Sequence, residues 1–544
     1  MLNLFVNETS LDLSADISIT LKFSSPIFNT IGDYTYPFKL PATPLNVSIL
    51  GFKHRIEKIS DPYQVFDACL QWNGVLLLKG TLRIIKAQSD FYEATLFMDK
   101  GDFTYRRKNM TLQDVDFGEM TWTGETLKID YFNDCRGHVF PERNFGFPQI
   151  HNPSYFEEPP LDQSNNYFNY YLTGTMYYFG SDDPRTILVP MLYLRFVLDR
   201  LFQKLEFNLD DSFFTPDPDF NSLALFNSVD ANCTLTGPFN YDKLKVFLSY
   251  HVPVISVNEF LTGLENFFNI RFFVNNITKT VKLVSVDKIV KSTDAIEFSR
   301  NVSDIYTELG DPVTGFHLKM NMESDDEFWT LLKSQQDYSL DKIKPPVDSA
   351  SNLSPWPGSQ NLDFRWVRDE NRYYMMYNRL WIVSPFPIGN LFSEFIYRES
   401  AKTIETKAST LMNQTLAPYD CVIGTAQSSW DTISPKLFFM NLHPWSGIGT
   451  RDERVYASNS LNTKSLFFSG ENGLFAKYFK AFCDFQMSSK QVKFVKQMSL
   501  LDINELDFSR KYMINGDSYL LSDVQVTISN AGLKPATIRG FTSV

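Results

Sequence analysis

At 544 residues the chain is long enough for about three to five domains, and with 43% hydrophobic and 21% charged residues it is not a disordered polymer. A net charge of −12 argues against a protein that wraps duplex nucleic acid. No apolar run reaches the roughly 20 residues of a bilayer-spanning helix, so an integral membrane segment is not expected.

Aromatic residues make up 15% of the chain, with 49 Phe and 26 Tyr. Such side chains favour strands and large buried interfaces, so a β-rich protein with several cores is expected. Residues 1–110 read as an N-terminal β-meander or barrel module. Segments 11–13 and 17–21 alternate apolar and polar residues, the signal of half-buried strands. The stretch 34–44 carries three prolines and is expected as extended edge or loop. Residues 65–72 then form a strand, Asn73-Gly74 a hairpin turn, 75–79 the return, 81–88 a third strand, and 91–98 a fourth after a turn at Ser89-Asp90. Asn-Gly is a strong hairpin signal because both turn positions need positive φ.

Residues 111–186 read as an irregular, aromatic-rich arm without sustained period. Loops this long are uncommon in compact domains unless they are functional or ordered by partners. Within the arm, Tyr167, Phe168, Tyr170, Tyr171, Tyr177 and Tyr178 would stack sugar rings if exposed and form an interface or core if buried. The buried reading is preferred, and these six are the candidate assembly residues.

Residues 187–300 read as a duplicated unit of helix plus hairpin. Val189-Pro190-Met191-Leu192 opens a helical stripe at Leu194, Val197, Leu198, Leu201 and Leu205. Val252-Pro253-Val254-Ile255 opens a second at Val257, Phe260, Leu261, Leu264 and Phe268, started by the capping box Ser256-Val257-Asn258-Glu259. The first helix is expected to lead into a hairpin pairing 207–209 with 223–226, the second into one pairing 270–274 with 280–286 across Asn275-Asn276. Residues 301–470 read as a β-rich domain with a Pro/Ser-rich insertion at 334–363 and a long hairpin at 364–380. Residues 471–544 read as an amphipathic helix, with Leu474, Phe475, Tyr478, Phe479, Phe482 and Phe485 on one face, and a C-terminal β-module. That module has strands at 511–514, 518–521, 523–529 and 535–541, and turns at Asn515-Gly516 and 530–532. Its cadence matches the first meander, pointing to two related modules at the chain ends.

The search for chemistry returns little. Five scattered cysteines form no disulfide framework and point to synthesis in a reducing cytosol. Residues 1–10 lack the basic start and apolar core of a secretory signal peptide. Cys135 and His138, with His151 nearby, lack the paired spacing of a zinc site. Asp210-Asp211 and Asp217-Pro218-Asp219 lack the glycine and closing glutamate of a calcium loop. Cys421 and His443 sit in no nucleophile signature, and neither phosphate-cradling glycine motif occurs. No catalytic residue, metal or cofactor is therefore assigned. Paired carboxylates for glycan hydrolysis need no local motif and remain a lesser alternative.

The assembled pattern resembles the hub proteins of phage tail tips and baseplates. The residues that carry it are Tyr34-Thr35-Tyr36-Pro37-Phe38-Lys39-Leu40-Pro41-Ala42-Thr43-Pro44-Leu45-Asn46, the stretch 253–273, and Leu506-Asp507-Phe508-Ser509-Arg510-Lys511-Tyr512-Met513-Ile514-Asn515-Gly516. The resemblance covers about half the chain. It implies an α+β, β-rich fold with two small antiparallel barrels of the tail-tube kind around an inserted region. It also implies a homotrimeric ring in the virion tail, made in the host cytoplasm. A tail-tube or distal tail protein would bind one face and a tip, spike or receptor-binding protein the other, with DNA passing through unbound. No lysozyme-like or spike segment is found. A carbohydrate-binding, adhesin-like tail protein is the alternative reading.

Overall fold

The computed structural model describes residues 1–29, 32–55, 64–122, 135, 138–148, 150–151, 167–169, 189–226, 244–308, 313, 315–321, 364–367, 372–377, 380–383, 393–395, 401–410, 438–443, 456–458, 460–461, 464–466 and 471–543. The chain starts in strand β1 (Leu2–Val6), followed by β2 (Ser18–Ser24), β3 (Asp33–Thr35) and β4 (Phe38–Pro41). Residues 11–13, expected as a strand, are not one. The Asn46 side chain holds them instead, accepting from Asp12 N and donating to Asp12 O, each at 2.9 Å. The proline stretch is extended up to β4, but Pro44 then opens helix α1 (Pro44–Leu50), with Thr43 as N-cap and Gly51 closing it at φ 78°. Proline is favoured in a first helical turn because its missing N–H has no partner there to lose.

The meander follows as read from the sequence: β5 (Val65–Trp72), β6 (Val75–Ala87) and β7 (Phe91–Met98). Asn73 and Gly74 take φ of 52° and 80°. The two strands expected on either side of Gly80 are one. A Cβ at Gly80 would lie 1.9 Å from the Phe97 carbonyl oxygen of the neighbouring strand. Gly80→Ala is therefore expected to force β6 and β7 apart and cost more than about 2 kcal/mol. A denaturation midpoint left unchanged in this variant would contradict that.

Helix α2 (Asp99–Arg106) leaves β7 directly. Next come α3 (Leu194–Lys204), β8 (Asn208–Asp210) and β9 (Leu223–Leu225). After them lie α4 (Val257–Phe268), β10 (Ile270–Asn275), β11 (Thr280–Ser285) and α5 (Val286–Lys291). Both helical stripes are buried, except that Leu205 at the end of the first is half-buried, and the Ser256–Glu259 capping box forms. The second hairpin, β10–β11, also forms. The first does not. β8 adds to β11 in parallel, and β9 pairs with residues 439–441. The intervening Phe213, Phe214 and Phe220 pack against one another with centroids 5.1–5.4 Å apart. Residues 211–222 contain two 3-10 turns in place of a hairpin loop.

Strand β12 (Val302–Glu308) precedes β13 (Gly315–Asn321). The long hairpin is present, Phe364–Val367 pairing with Arg372–Tyr377, and Leu380–Val383 adds a third strand. Towards the end come α6 (Lys480–Ser488), entered through a π-helical turn, then β14 (Gln491–Lys496), β15 (Lys511–Ile514), β16 (Asp517–Ser529) and β17 (Ala536–Thr542). Asn515 and Gly516 repeat the positive-φ turn at 53° and 92°.

The protein is β-rich, with one large curled and mostly antiparallel sheet and a few helices. In place of two closed barrels, the terminal meanders share a 15-stranded sheet. The join is the antiparallel pair β2–β16, with Ser18 opposite Ser529 and Ser24 opposite Asp523. One core fills that sheet, drawing Leu21, Leu70, Leu82 and Tyr92 from the first meander and Phe494, Ile514, Val526 and Ile538 from the second. A second core lies under α3 and α4 and is dominated by Phe, including Phe196, Phe202, Phe220, Phe260, Phe267 and Phe268. This accounts for much of the aromatic excess: broad rings pack edge to face where two helices and short strands meet at irregular angles.

Candidate functional site

Two places draw polar side chains together at depth. The first is the seam where α2, from the N-terminal sheet, meets α4 and the β10–β11 turn. Asn276 stands at that turn. Its backbone N–H donates to Asp99 Oδ1 at 2.8 Å, and its Nδ2 donates to Asp102 Oδ2 at 2.9 Å. Asp102 is buried and also accepts from the Thr81 hydroxyl of β6 and from Arg106 Nε at 2.8 Å. Arg106 reaches on to Asp67 of β5. Lys100 Nζ lies 2.8 Å from Glu265 Oε1 of α4, with both side chains at or below 10% exposure. The same Glu265 oxygen accepts from the backbone N–H of Phe272 at 3.1 Å. Asp33 of β3 accepts from Ser24 N at 2.6 Å and lies beside Gly101.

The electrostatics follow from this crowding. Burial pushes the Asp33 carboxyl well above the usual range, and the neighbouring Asp99 adds to it. Burial also raises Asp99, to about 6, with Asp102 contributing and the Asn276 N–H opposing. Beside the seam a cleft of about 670 Å³ opens between β1, β5, β6 and the hairpin turn. Its walls mix Lys79, Arg106 and Lys279 with Glu8, Asp67 and Glu206. It is a groove between two packed units with both signs of charge on its walls, and among the described residues no nucleophile–base pair converges in it.

The second place is the arm. Tyr167 and Phe168 form a two-residue strand against Ile150 and His151. Tyr170, Tyr171, Tyr177 and Tyr178 lie outside the described residues. The next residue, Asn169, is buried and fixes this point of the arm to the start of the helical core. Its Nδ2 donates to Pro148 O at 2.7 Å and Val189 O at 3.0 Å, and its Oδ1 accepts from Val189 N at 2.8 Å. Asn169 is not among the six aromatic candidates of the arm, although it lies between two of them. The signal available was an Asn between Phe168 and Tyr170, a residue type that tolerates the φ of 51° adopted here. The seam was missed too. Its signals were the i,i+4 pair Asp102–Arg106 and the second Asn of a turn read only as a turn.

Other candidates have structural roles. Asp210 accepts from Ser212 N and Asp217 from Asp219 N, closing turns. Burial pushes the Cys135 thiol up to about 12, which disfavours a thiolate ligand. Among the described residues no group of three His, Cys, Asp or Glu is disposed to hold a metal ion. No helix among them is long and apolar enough to cross a membrane. Cys421 lies outside the described residues.

No protein-family model and no curated protein matches the chain. Among solved structures, the chain is similar to a 43 kDa tail protein of prophage MuSo2 from Shewanella oneidensis. The two share 6% identity, with 99% of this chain and 97% of that one covered and a TM-score of 0.34. A tail protein from Neisseria meningitidis MC58 follows at 8% identity, 99% and 95% coverage and a TM-score of 0.31. Both superpositions fall below the level of a common fold.

Proposed function

We propose that the chain is a structural, non-enzymatic component of a phage tail, acting at the tail tip or baseplate hub. The observation that carries this reading is the pairing of two meanders of equal design in one sheet. Each turns at Asn-Gly with positive φ, and each has a 13-residue central strand, β6 and β16. A chain that presents two such modules side by side suits a trimeric ring that offers six modules to a sixfold tube. In this reading residues 1–110 and 471–544 build the ring, and residues 187–300 form the insertion towards the tip. The arm 111–186, including Tyr167, Phe168, Tyr170, Tyr171, Tyr177 and Tyr178, clasps a neighbouring copy. A tail-tube or distal tail protein binds one face, and a tip, spike or receptor-binding protein the other. The net charge of −12 supports passage of DNA without adhesion.

Light scattering on the size-exclusion peak, with negative-stain images of the same fraction, tests the reading. A trimeric ring with a central opening is expected, and deleting residues 141–185 should shift it towards monomer. A compact monomer that stays monomeric when mixed with tail-tube protein would overturn the hub.

A further inference from the structure

The cleft beside the α2 seam has a chemistry of its own, independent of the tail reading. We propose that it binds a neutral saccharide, whose hydroxyls donate to Asn276 and to the acidic groups of the walls and accept from the basic ones.

A buried polar group sets the requirement. Asn276 lines the cleft and is 2% exposed. Its Nδ2 donates to Asp102 Oδ2 at 2.9 Å and to Lys79 O at 3.5 Å. Those two acceptors fix the amide, because turning it over would set Oδ1 against a carboxylate and a carbonyl. Oδ1 is thus held in place, and no donor among the described residues reaches it. A buried acceptor left without a donor is costly, so a ligand that brings an O–H there gains more than it would from a bond to a solvated group.

The floor is the outer face of the sheet. Phe5, Cys69 and Lys79 form one row across β1, β5 and β6. The backbone groups of these strands pair with one another, so a peptide cannot add over the floor as a further strand and recognition falls to side chains. The half-buried Phe5 and Leu76 offer apolar surface for the C–H face of a sugar ring.

The walls exclude a strongly charged ligand. Arg106 is taken by Asp67 and Asp102, and Lys279 Nζ rests over the Phe207 ring at 4.6 Å. Glu8, Glu206 and Lys79 are exposed and form no hydrogen bond or ion pair with the described residues. An anion would meet Glu8, Asp67 and Glu206, and a cation would meet Lys79 and Lys279. A hydroxyl both donates and accepts, so it suits groups of either sign. The cleft volume of about 670 Å³ lies within the roughly 300–1,000 Å³ of small-ligand sites, room for a short oligosaccharide.

A printed array of neutral, sialylated and sulfated glycans, probed with the full chain, tests the site, followed by saturation-transfer NMR titration of each glycan that binds. Neutral glycans are expected among the binders. Glu206→Asn, which tolerates the φ of 61° at that position, and Lys79→Met should each weaken them about tenfold by removing a charged hydrogen-bond partner. Both positions are exposed, and an unchanged unfolding midpoint in each variant separates lost binding from misfolding. An array without any bound glycan would overturn the proposal. So would binding confined to sialylated or sulfated glycans, or affinity for neutral glycans unchanged in both variants.

Discussion

Replacing Phe268 by alanine is expected to destabilise the helical core by about 3–5 kcal/mol, more than most single changes in the chain. Phe268 is fully buried at the C-terminal end of α4. Its ring meets Phe220, Phe267, Phe439 and Tyr478 with centroids 5.0–6.0 Å apart, three of them edge to face. Those neighbours come from four separate segments, so truncation opens a cavity whose walls belong to different parts of the chain and cannot collapse together. Phe268→Leu keeps more of the volume and should cost less. The measurement is the denaturant midpoint together with exchange protection of residues 257–268. Equal stability of the alanine variant and the parent would remove Phe268 as a keystone.

Lys100→Met should cost a comparable amount, about 3–5 kcal/mol, by leaving the Glu265 charge without its ion-pair partner in a buried site. The loss should appear first as exchange in 99–106 and 257–275, because the bond joins those two segments. Adding Glu265→Gln removes the stranded charge yet keeps an oxygen for the Phe272 N–H, so the double variant should recover most of the stability. A double variant no better than Lys100→Met alone would mean that the ion pair is incidental to the seam.

The parts of the fold legible in the sequence are those with short-range causes. The β5–β6–β7 meander was readable because alternation and an Asn-Gly turn are local, and α4 because its capping box lies within four residues. The pairings β2–β16, β8–β11 and β9 with residues 439–441 were not. Each depends on which distant strand offers a matching free edge, and an alternating pattern shows which face is buried without showing its partner. The seam was hidden for a related reason. Asp99, Lys100 and Asp102 look like an ordinary polar first turn until Glu265 and Asn276 arrive from more than 160 residues away. For Asn169 the residue type was the sole signal, because its bonds go to backbone atoms, which carry no sequence signature.

The β2–β16 join also sets an order of events at the ribosome. Thr20 pairs with Thr527, 507 residues further on. Until that later segment emerges, the nascent β2 has one edge uncovered, with Ile19, Leu21 and Phe23 along the strand. Both the helical core and the first meander have time to form while this edge waits. An exposed apolar edge is a template for pairing with the wrong chain. Synthesis stalled before residue 523 should therefore yield an aggregation-prone product, whereas completion closes the sheet from within the same molecule.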